Sequence, residues 1–371
     1  MKQLLLIASA MLLVATAQAQ LRKALLHFPD ANGYKVLKGD FHQHTVFSDG
    51  LVWPTTRVEE AYEEDLDIIC LSEHIEYRPH LNDLSSRDHN RSFALAKSEA
   101  ERFGVILIQS TEITREMAPG HLNAINIQDA NAFEKFVNQQ DTRDASTIVA
   151  TLEEAKKQGG FIFWNHTAYP TVDNKSTWHP IHEELKNKGL MMGIEIVNGE
   201  RYEPIAFQWC LDHNLTLFAN TDVHSTMAQK RKSDNSKVMT LVLAHEKSQA
   251  SVMEALRDHR TIGMWNDRLF GREAHVAAVV KAAVDFKLSN VSDHKGLFEI
   301  INKSGFPFVF EFLDLDADFS IRKDVPSSVL PNQTSALKAT VKGETPTSIK
   351  VKVLNVFITP DQNLIVEMPI I

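Results

Sequence analysis

The chain has 371 residues, 43% of them hydrophobic and 23% charged, and a formal net charge of −9 at pH 7. That balance fits an ordinary globular protein with one large domain, or one large and one small. An acidic chain is poorly suited to duplex nucleic acid, whose binding is driven by basic surface. The first element is not part of the fold. Lys2, the apolar run Leu4–Ala15 and the small-residue site Ala17-Gln18-Ala19 read as a signal peptide, residues 1–19, cleaved before Gln20. The run is too short to span a membrane comfortably, which argues against an anchor helix. Cleavage removes one lysine and moves the charge from −9 to −10. The mature protein is then expected in the periplasm or outside the cell. No other segment reads as a membrane span. Export would permit a disulfide between Cys70 and Cys210, yet both also read as small buried hydrophobes, and the sequence leaves their pairing open.

Residues 20–35 read as a lead-in. Strand and helix signals then alternate over 36–283. The run Val36–Phe41 leads into His42 and His44. After Ser48-Asp49-Gly50, Pro54 suits the first turn of a helix. A strand ends at His74, a helix covers about Arg91–Phe103, and the strand Val105–Glu112 leads through Pro119-Gly120-His121 to the short apolar run Leu122–Ile127. A helix over about Ser146–Gln158 is closed by Gly159-Gly160. The strand Phe161–His166, the strand Ile194–Val197, the helix Pro204–His213, the strand Leu215–His224, the strand Val238–Ala244 and the helix Ser248–Asp258 follow. This βα alternation predicts a parallel sheet or a closed βα barrel. From Val284 the pattern changes. Phe308–Leu313, Ser348–Val356 and Gln362–Ile370 alternate apolar with polar, which predicts a small antiparallel, sandwich-like β domain over 284–371. That region carries no candidate ligand, and its expected role is packing or attachment.

Acid and imidazole side chains collect at the carboxyl ends of the apolar runs, where parallel sheets and barrels gather their chemistry. His42 and His44 are two apart in a strand and share a face, a spacing that suits one metal held by two imidazoles. Asp222 and His224 repeat that spacing. Glu112 ends a buried strand, where a carboxylate needs a partner or a metal; the other reading is a salt bridge to Arg115. Asp49 also fits an Asp-Gly turn, His121 a surface histidine, and His166 a core-edge histidine bonded to backbone. The remaining histidines, among them His80, His89, His179, His182 and His213, read as solvated.

The set Asp40-Phe41-His42-Gln43-His44-Thr45 with Ser48-Asp49-Gly50, then Ser72-Glu73-His74, Glu112, Gly120-His121, Asn165-His166 and Thr221-Asp222-Val223-His224 resembles the PHP (polymerase and histidinol phosphatase) superfamily of metal-dependent phosphoesterases. The resemblance covers about Val36 to Lys281, with the motifs in order. It implies a distorted (β/α)7 TIM-like barrel with a trinuclear metal centre. His42, His44, Glu112 and Asp222 would hold one metal. Glu112 would be shared with a second, held also by His121 and His166. Asp49, His74 and His224 would hold the third. The family often has Asp before the second-motif histidine. This chain has Glu73 there, expected to support the ligands rather than bind, and Gln43 should point away from the metals.

Such a centre hydrolyses a phosphoester with a hydroxide activated by the metals, so that Glu112, Asp222 and His224 act catalytically through it and no protein nucleophile is needed. No Gly-x-Ser-x-Gly elbow, Walker loop or nucleophilic cysteine motif is present. Two or three divalent ions are expected, and a set this rich in histidine suits Zn²⁺, Mn²⁺ or Fe²⁺ better than Mg²⁺. Arg115 and Arg201 are the candidate phosphate-binding cations, while Lys230 and Arg231 read as solvated charge. The expected partner is a small phosphorylated substrate, monoester or small diester, with no protein partner implied. Two other readings compete. One is a metallohydrolase of amide or lactone bonds, against which stands the lack of a strand-end lysine. The other is a non-catalytic binding protein, against which stands the completeness of the donor set.

Overall fold

The computed structural model describes residues 26–371, apart from 139, 142, 143, 172, 235, 314, 316, 317 and 322–326. The expected signal peptide lies outside the described residues.

β1 (Lys35–Gln43) is followed by α1 (Pro54–Glu63), β2 (Ile68–Leu71), α2 (Arg91–Phe103), β3 (Ile106–Ile113), β4 (Leu122–Ile125), α3 (Ile148–Lys157), β5 (Phe161–Trp164), α4 (Pro180–Asn187), β6 (Gly193–Asn198), β7 (Arg201–Tyr202), α5 (Pro204–Asp212) and β8 (Thr216–Asn220). α1, α4 and α5 each open on a proline, whose missing N–H costs nothing in a first turn. α2 ends on Gly104 in the left-handed conformation, φ 65°. β1, β2 and β3 pair in parallel, as do β5, β6 and β8. β4 runs antiparallel to both β3 and β5. The segment 114–121 between β3 and β4 is too short for a parallel crossover, which needs a dozen residues or more, so the chain turns back on itself.

α6 (Met227–Ser233), β9 (Val238–Ala244), α7 (Gln249–Arg257), β10 (Thr261–Trp265), β11 (Arg268–Gly271) and α8 (Glu273–Ala283) complete this half. β9 pairs antiparallel with β1, from Lys35 opposite Ala244 to Gly39 opposite Thr240. It takes the edge of β1 that barrel closure would need. Among the described residues no ladder joins β8 to β1; the strands form a large mixed sheet, and the closed (β/α)7 barrel of the resemblance is not seen. A single bridge, Gln43 to Val223, spans the seam. Asp222 N–H donates to His42 O (2.9 Å) and His44 N–H to Val223 O (3.1 Å). Arg57, fully buried on α1, donates through Nη2 to the carbonyls of His44, Val223 and Ser225 at 3.0–3.3 Å. Below the seam the interior is filled by Phe41, Phe161, Phe163 and Phe218, against which α7 packs.

β12 (Val284–Ser292), β13 (Lys295–Asn302), β14 (Phe308–Phe312), β15 (Phe319–Ile321), β16 (Ser327–Val329), β17 (Thr334–Val341), β18 (Ser348–Phe357) and β19 (Asn363–Pro369) follow. β12, β13, β17 and β15 form a separate antiparallel sheet. β14, β16, β18 and β19 instead extend the large sheet, because β18 pairs in parallel with β11. The phenylalanines Phe286, Phe298 and Phe310 fill the space between the two layers. Cys70 and Cys210 are both free and sit in different apolar clusters.

The solvated reading of His182 is corrected by the fold. This residue of α4 is fully buried and stacks on Trp164 with ring centroids 3.8 Å apart. Its Nδ1 accepts from His179 N–H (2.9 Å) and its Nε2–H donates to Pro119 O (2.9 Å), which selects the neutral tautomer. Protonation at Nδ1 would break the first bond. Burial pushes the imidazole from 6.5 down to about 4. A depressed histidine contributes stability that is complete above the ordinary value of 6.5 and is lost as pH falls towards 4. The expected loss between pH 7.5 and 5 is about 2 kcal/mol from this residue. Denaturant titrations of the wild type and His182→Gln at the two pH values check it: the variant should show a pH difference smaller by that amount, and equal differences would refute the assignment.

Candidate metal centre

The candidate ligands are brought together by strand ends and the turns beyond them. His42 and His44 flank the end of β1, and Glu112 lies near the end of β3. His121 precedes β4, behind Gly120 at φ 86°, where a Cβ would come within 2.8 Å of Met117 Cε. His166 and Asp222 are two residues past β5 and β8, at φ 22° and 51°. Positive φ is costly for a residue with a side chain and tends to persist where function holds it. Asp222 and His224 are therefore not the in-strand pair expected from their spacing. The turn sends them to different neighbours, Asp222 Oδ1 to His42 and His44, and His224 Nε2 to Asp49.

Glu112, 1% exposed, is the hub. Its Oε2 lies 3.1 Å from His42 Nε2, 3.2 Å from His44 Nε2 and 3.3 Å from His74 Nδ1. Its Oε1 lies 2.9 Å from His121 Nδ1 and 3.5 Å from His166 Nε2, and accepts from Asn165 Nδ2 at 3.0 Å. The alternative reading of Glu112, a salt bridge to Arg115, is not what the fold shows. The guanidinium of Arg115 is buried instead against Glu76 and donates to Thr114 O at 2.8 Å. It does not line the cavity over the cluster, which corrects its reading as a phosphate ligand. Arg201 does line that cavity, braced by Glu203 and the carbonyl of Asn174. Lys230, read as solvated, is buried with Asp234 (2.8 Å), and Arg231 pairs with Glu64.

Four rings share one arrangement. The Nδ1–H of His42 donates to Glu195 (2.8 Å), that of His44 to Ser48 Oγ (3.2 Å), that of His166 to Tyr169 O (3.2 Å) and that of His224 to Asp222 O (2.8 Å). Each neutral ring then turns its Nε2 lone pair towards a carboxylate oxygen. Lone pair against lone pair at these distances is repulsive unless a proton or a cation sits between them. His44 Nε2, His121 Nε2, Asp49 Oδ1 and Asp222 Oδ1 are buried with no hydrogen-bond partner. The donor atoms form four overlapping groups, each within 4.8 Å: His44, Asp49, His74 and His224; His42, His166 and Asp222; His42, His44 and Glu112; and Glu112, His121 and His166. This donor set fits divalent metal.

The titration behaviour carries the same demand for positive charge. Burial alone would lower His42 and His74, yet Asp222, Glu195 and Glu112 lift His42 well above its ordinary value, and Glu112 and Asp49 lift His74 to about 9. Burial would raise Glu112 and Asp222, but the surrounding imidazoles hold both well below the carboxylate range. For His121 burial wins and the ring falls to about 4, which keeps it neutral and able to coordinate.

Glu195 was not singled out in the sequence. It sits in β6 within the run Gly193-Ile194-Glu195-Ile196-Val197, where a lone carboxylate in an apolar strand is itself the signal. It is 1% exposed and accepts from His42, from His166 N–H (2.8 Å), from Asn198 (3.1 Å) and from Asn220 (2.8 Å). Glu73 takes the supporting place expected of it, accepting from Thr45 N–H (3.1 Å) and Ser48 Oγ–H (2.7 Å). Gln43 turns away from the cluster to donate to Asp40 (2.8 Å).

The wild type, loaded with Mn²⁺ or Zn²⁺ and passed through gel filtration, should retain more than one ion per chain by elemental analysis. Glu112→Gln should retain fewer, and His80→Gln, outside the four donor groups, as many as the wild type. Metal at a thousandfold excess over Kd should add about 4 kcal/mol to stability. Equal metal content in the Glu112 variant would refute the role of this carboxylate as the shared ligand.

No protein-family model matches the chain, and no curated protein matches it. Among solved structures it is similar to a two-domain protein from Bacteroides vulgatus described as containing a predicted PHP-like metal-dependent phosphoesterase, with 37% identity over 94% of this chain and 99% of that one and a TM-score of 0.83. More distant are a protein from Bifidobacterium adolescentis described as a metal-dependent phosphoesterase (17% identity, 51% of this chain and 88% of that one, TM-score 0.39) and an amidohydrolase from Chromobacterium violaceum (14%, 51% and 88%, TM-score 0.38). Identity and coverage with the Bacteroides protein, on a fold that carries the His, Asp and Glu cluster described above, place the chain in the family of PHP-like metal-dependent phosphoesterases.

Proposed function

We propose that the protein is an exported hydrolase of a small phosphate ester that works with two or three divalent ions, Zn²⁺, Mn²⁺ or Fe²⁺. The observation that carries this reading is the convergence of four imidazole Nε2 lone pairs on carboxylate oxygens, with Glu112 shared between groups. His42, His44, Glu112 and Asp222 would hold one ion, Glu112, His121 and His166 a second, and Asp49, His74 and His224 a third. When bound, such ions supply Lewis acidity, which makes water a nucleophile near neutral pH and offsets phosphoryl charge.

The chain's own side chains set the stage for that chemistry. Glu195, Ser48 and the carbonyls of Tyr169 and Asp222 hold four rings in the coordinating tautomer. Asn165 and Asn198 donate to Glu112 and Asp222, so the carboxylates cannot swing away. The cavity above, about 370 Å³, admits a small molecule and is too small for a folded polymer. Arg201 on its wall is placed to meet a phosphoryl oxygen. Residues 36–283 would form the catalytic unit, 284–371 an attached β region, and 1–19 a leader that routes the chain out of the cytoplasm.

Phosphoester hydrolysis should require Mn²⁺ or Zn²⁺, stop with a chelator, and fall by about 10³-fold in kcat/KM in Glu112→Gln. Arg201→Met should raise KM by about tenfold with a smaller effect on kcat. Absence of hydrolysis across monoesters and diesters, in protein shown to hold its metals, would refute the reading. N-terminal sequencing of protein recovered from outside the cytoplasm should begin at Gln20.

A further inference from the structure

The cavity over the cluster has a neighbour. A second, more open groove of about 450 Å³ lies beside it, and Asp49, Asn198, Asp222 and His224 line both. Three candidate metal ligands, Asp49, Asp222 and His224, are thus shared between the two spaces. The two spaces differ in chemistry. The first is flanked by Tyr77 and Tyr169, 49% and 51% exposed. Both rings stand edge-on to candidate ligands: Tyr77 is 6.2 Å from His74 at 66°, and Tyr169 is 5.4 Å from His166 at 73°. Both rings line the cavity, so half-exposed aromatic surface is open to what it holds. Among the described residues the groove is lined by no Phe, Tyr or Trp, and its wall is mixed, with Leu51 and Val223 beside Glu200, Ser225, Lys230 and Ser233.

Charge points the same way as shape. Among the described residues, Arg201 is the one cation besides imidazoles that lines the first cavity, and Glu203 already pairs with it. Lys230 in the groove is paired with Asp234 at 2.8 Å. A phosphate monoester brings two negative charges and one substituent; a diester brings one charge and two substituents. Two spaces and little unpaired protein cation suit the second.

We propose that the site takes a phosphodiester in preference to a monoester, with an aromatic substituent against Tyr77 and Tyr169 and a second substituent in the groove beyond His224. The proposal rests on the phosphoesterase reading above. Water adds to phosphorus and the bond from phosphorus to one ester oxygen breaks. One proton of the water ends on the departing oxygen and the other on the phosphate, so one alcohol and one monoester leave.

The metal-loaded protein should be tested with para-nitrophenyl phosphate, bis(para-nitrophenyl) phosphate and bis(glyceryl) phosphate. Diphenyl phosphate, which hydrolyses slowly, serves as a calorimetric ligand. The diaryl diester should exceed the monoester in kcat/KM by about tenfold or more. Tyr77→Ala and Tyr169→Ala should each lower the aryl-to-alkyl diester ratio, and weaken diphenyl phosphate binding, by about fivefold or more, through KM rather than kcat. Ser233→Trp, which narrows the groove, should lower the diester-to-monoester ratio by a similar factor. A preference for the monoester, or tyrosine variants that bind diphenyl phosphate as the wild type does, would overturn the proposal and leave the phosphoesterase reading standing. No hydrolysis of any of the three by protein holding its metals would overturn that reading itself.

Discussion

A carboxylate with 1% of its surface in water, surrounded by five imidazoles, is the constraint on which the rest of this structure depends. Glu112 ionised in isolation at that depth would be expensive, and the protein answers with positive charge rather than with neutralisation. The rings on both sides of it come from β1, from the turn after β2, from the approach to β4 and from the turn after β5. Each of those segments must end at the same point. The parallel order of β1, β2 and β3, and of β5, β6 and β8, brings their carboxyl ends to one rim.

The rim is completed across a seam that no strand ladder closes. Because β9 pairs along β1, the ends of β1 and β8 meet through a bridge, backbone hydrogen bonds, the buried side chains of Asp40, which accepts from Thr221, and Asn220, which accepts from Phe41 N–H, and the guanidinium of Arg57. Arg57 is buried and charged, and its position is held by Glu60 as well as by three carbonyls. The carbonyls it holds belong to the segments that carry His44 and His224. A divalent ion between His42, His44 and Asp222 would join the same two segments from the other side. Fold closure and ligand assembly are thus one problem in this molecule, solved by charge where hydrogen-bonded strands leave off.

What the residues disclosed in advance follows a physical divide. His42, His44 and Glu112 were legible because each marks the end of an apolar run, and alternation in a strand places i and i+2 on one face. His166 and Asp222 were legible as residue types but not in conformation, since a positive φ in a histidine or aspartate leaves no compositional trace. For Arg115, nearness to Glu112 in sequence is a poor guide to place. Three residues apart along extended chain, the two side chains face opposite ways, and Arg115 finds Glu76. Glu195 is masked by the apolar residues on either side of it in β6. The antiparallel course of β4 was implicit in the short segment 114–121. The choice of β9 as partner for β1 is a long-range pairing, and no local pattern announces it.

The pairing of β11 with β18 bears on how this chain can be divided. Sequence grammar changes at Val284, yet the large sheet runs on past that point, and Phe270 of β11 stacks on Phe357 of β18 with centroids 5.3 Å apart. Cutting the chain where the grammar changes would strip β18 from β11, leave a row of backbone N–H and C=O groups unpaired, and bare an aromatic face beside them. A fragment ending near residue 283 would therefore carry an adhesive edge, inviting strand addition from its neighbours in solution. In this protein the β region is a cover for the sheet that holds the chemistry, and the unit for expression, crystallisation or transplantation is the chain through its last strand.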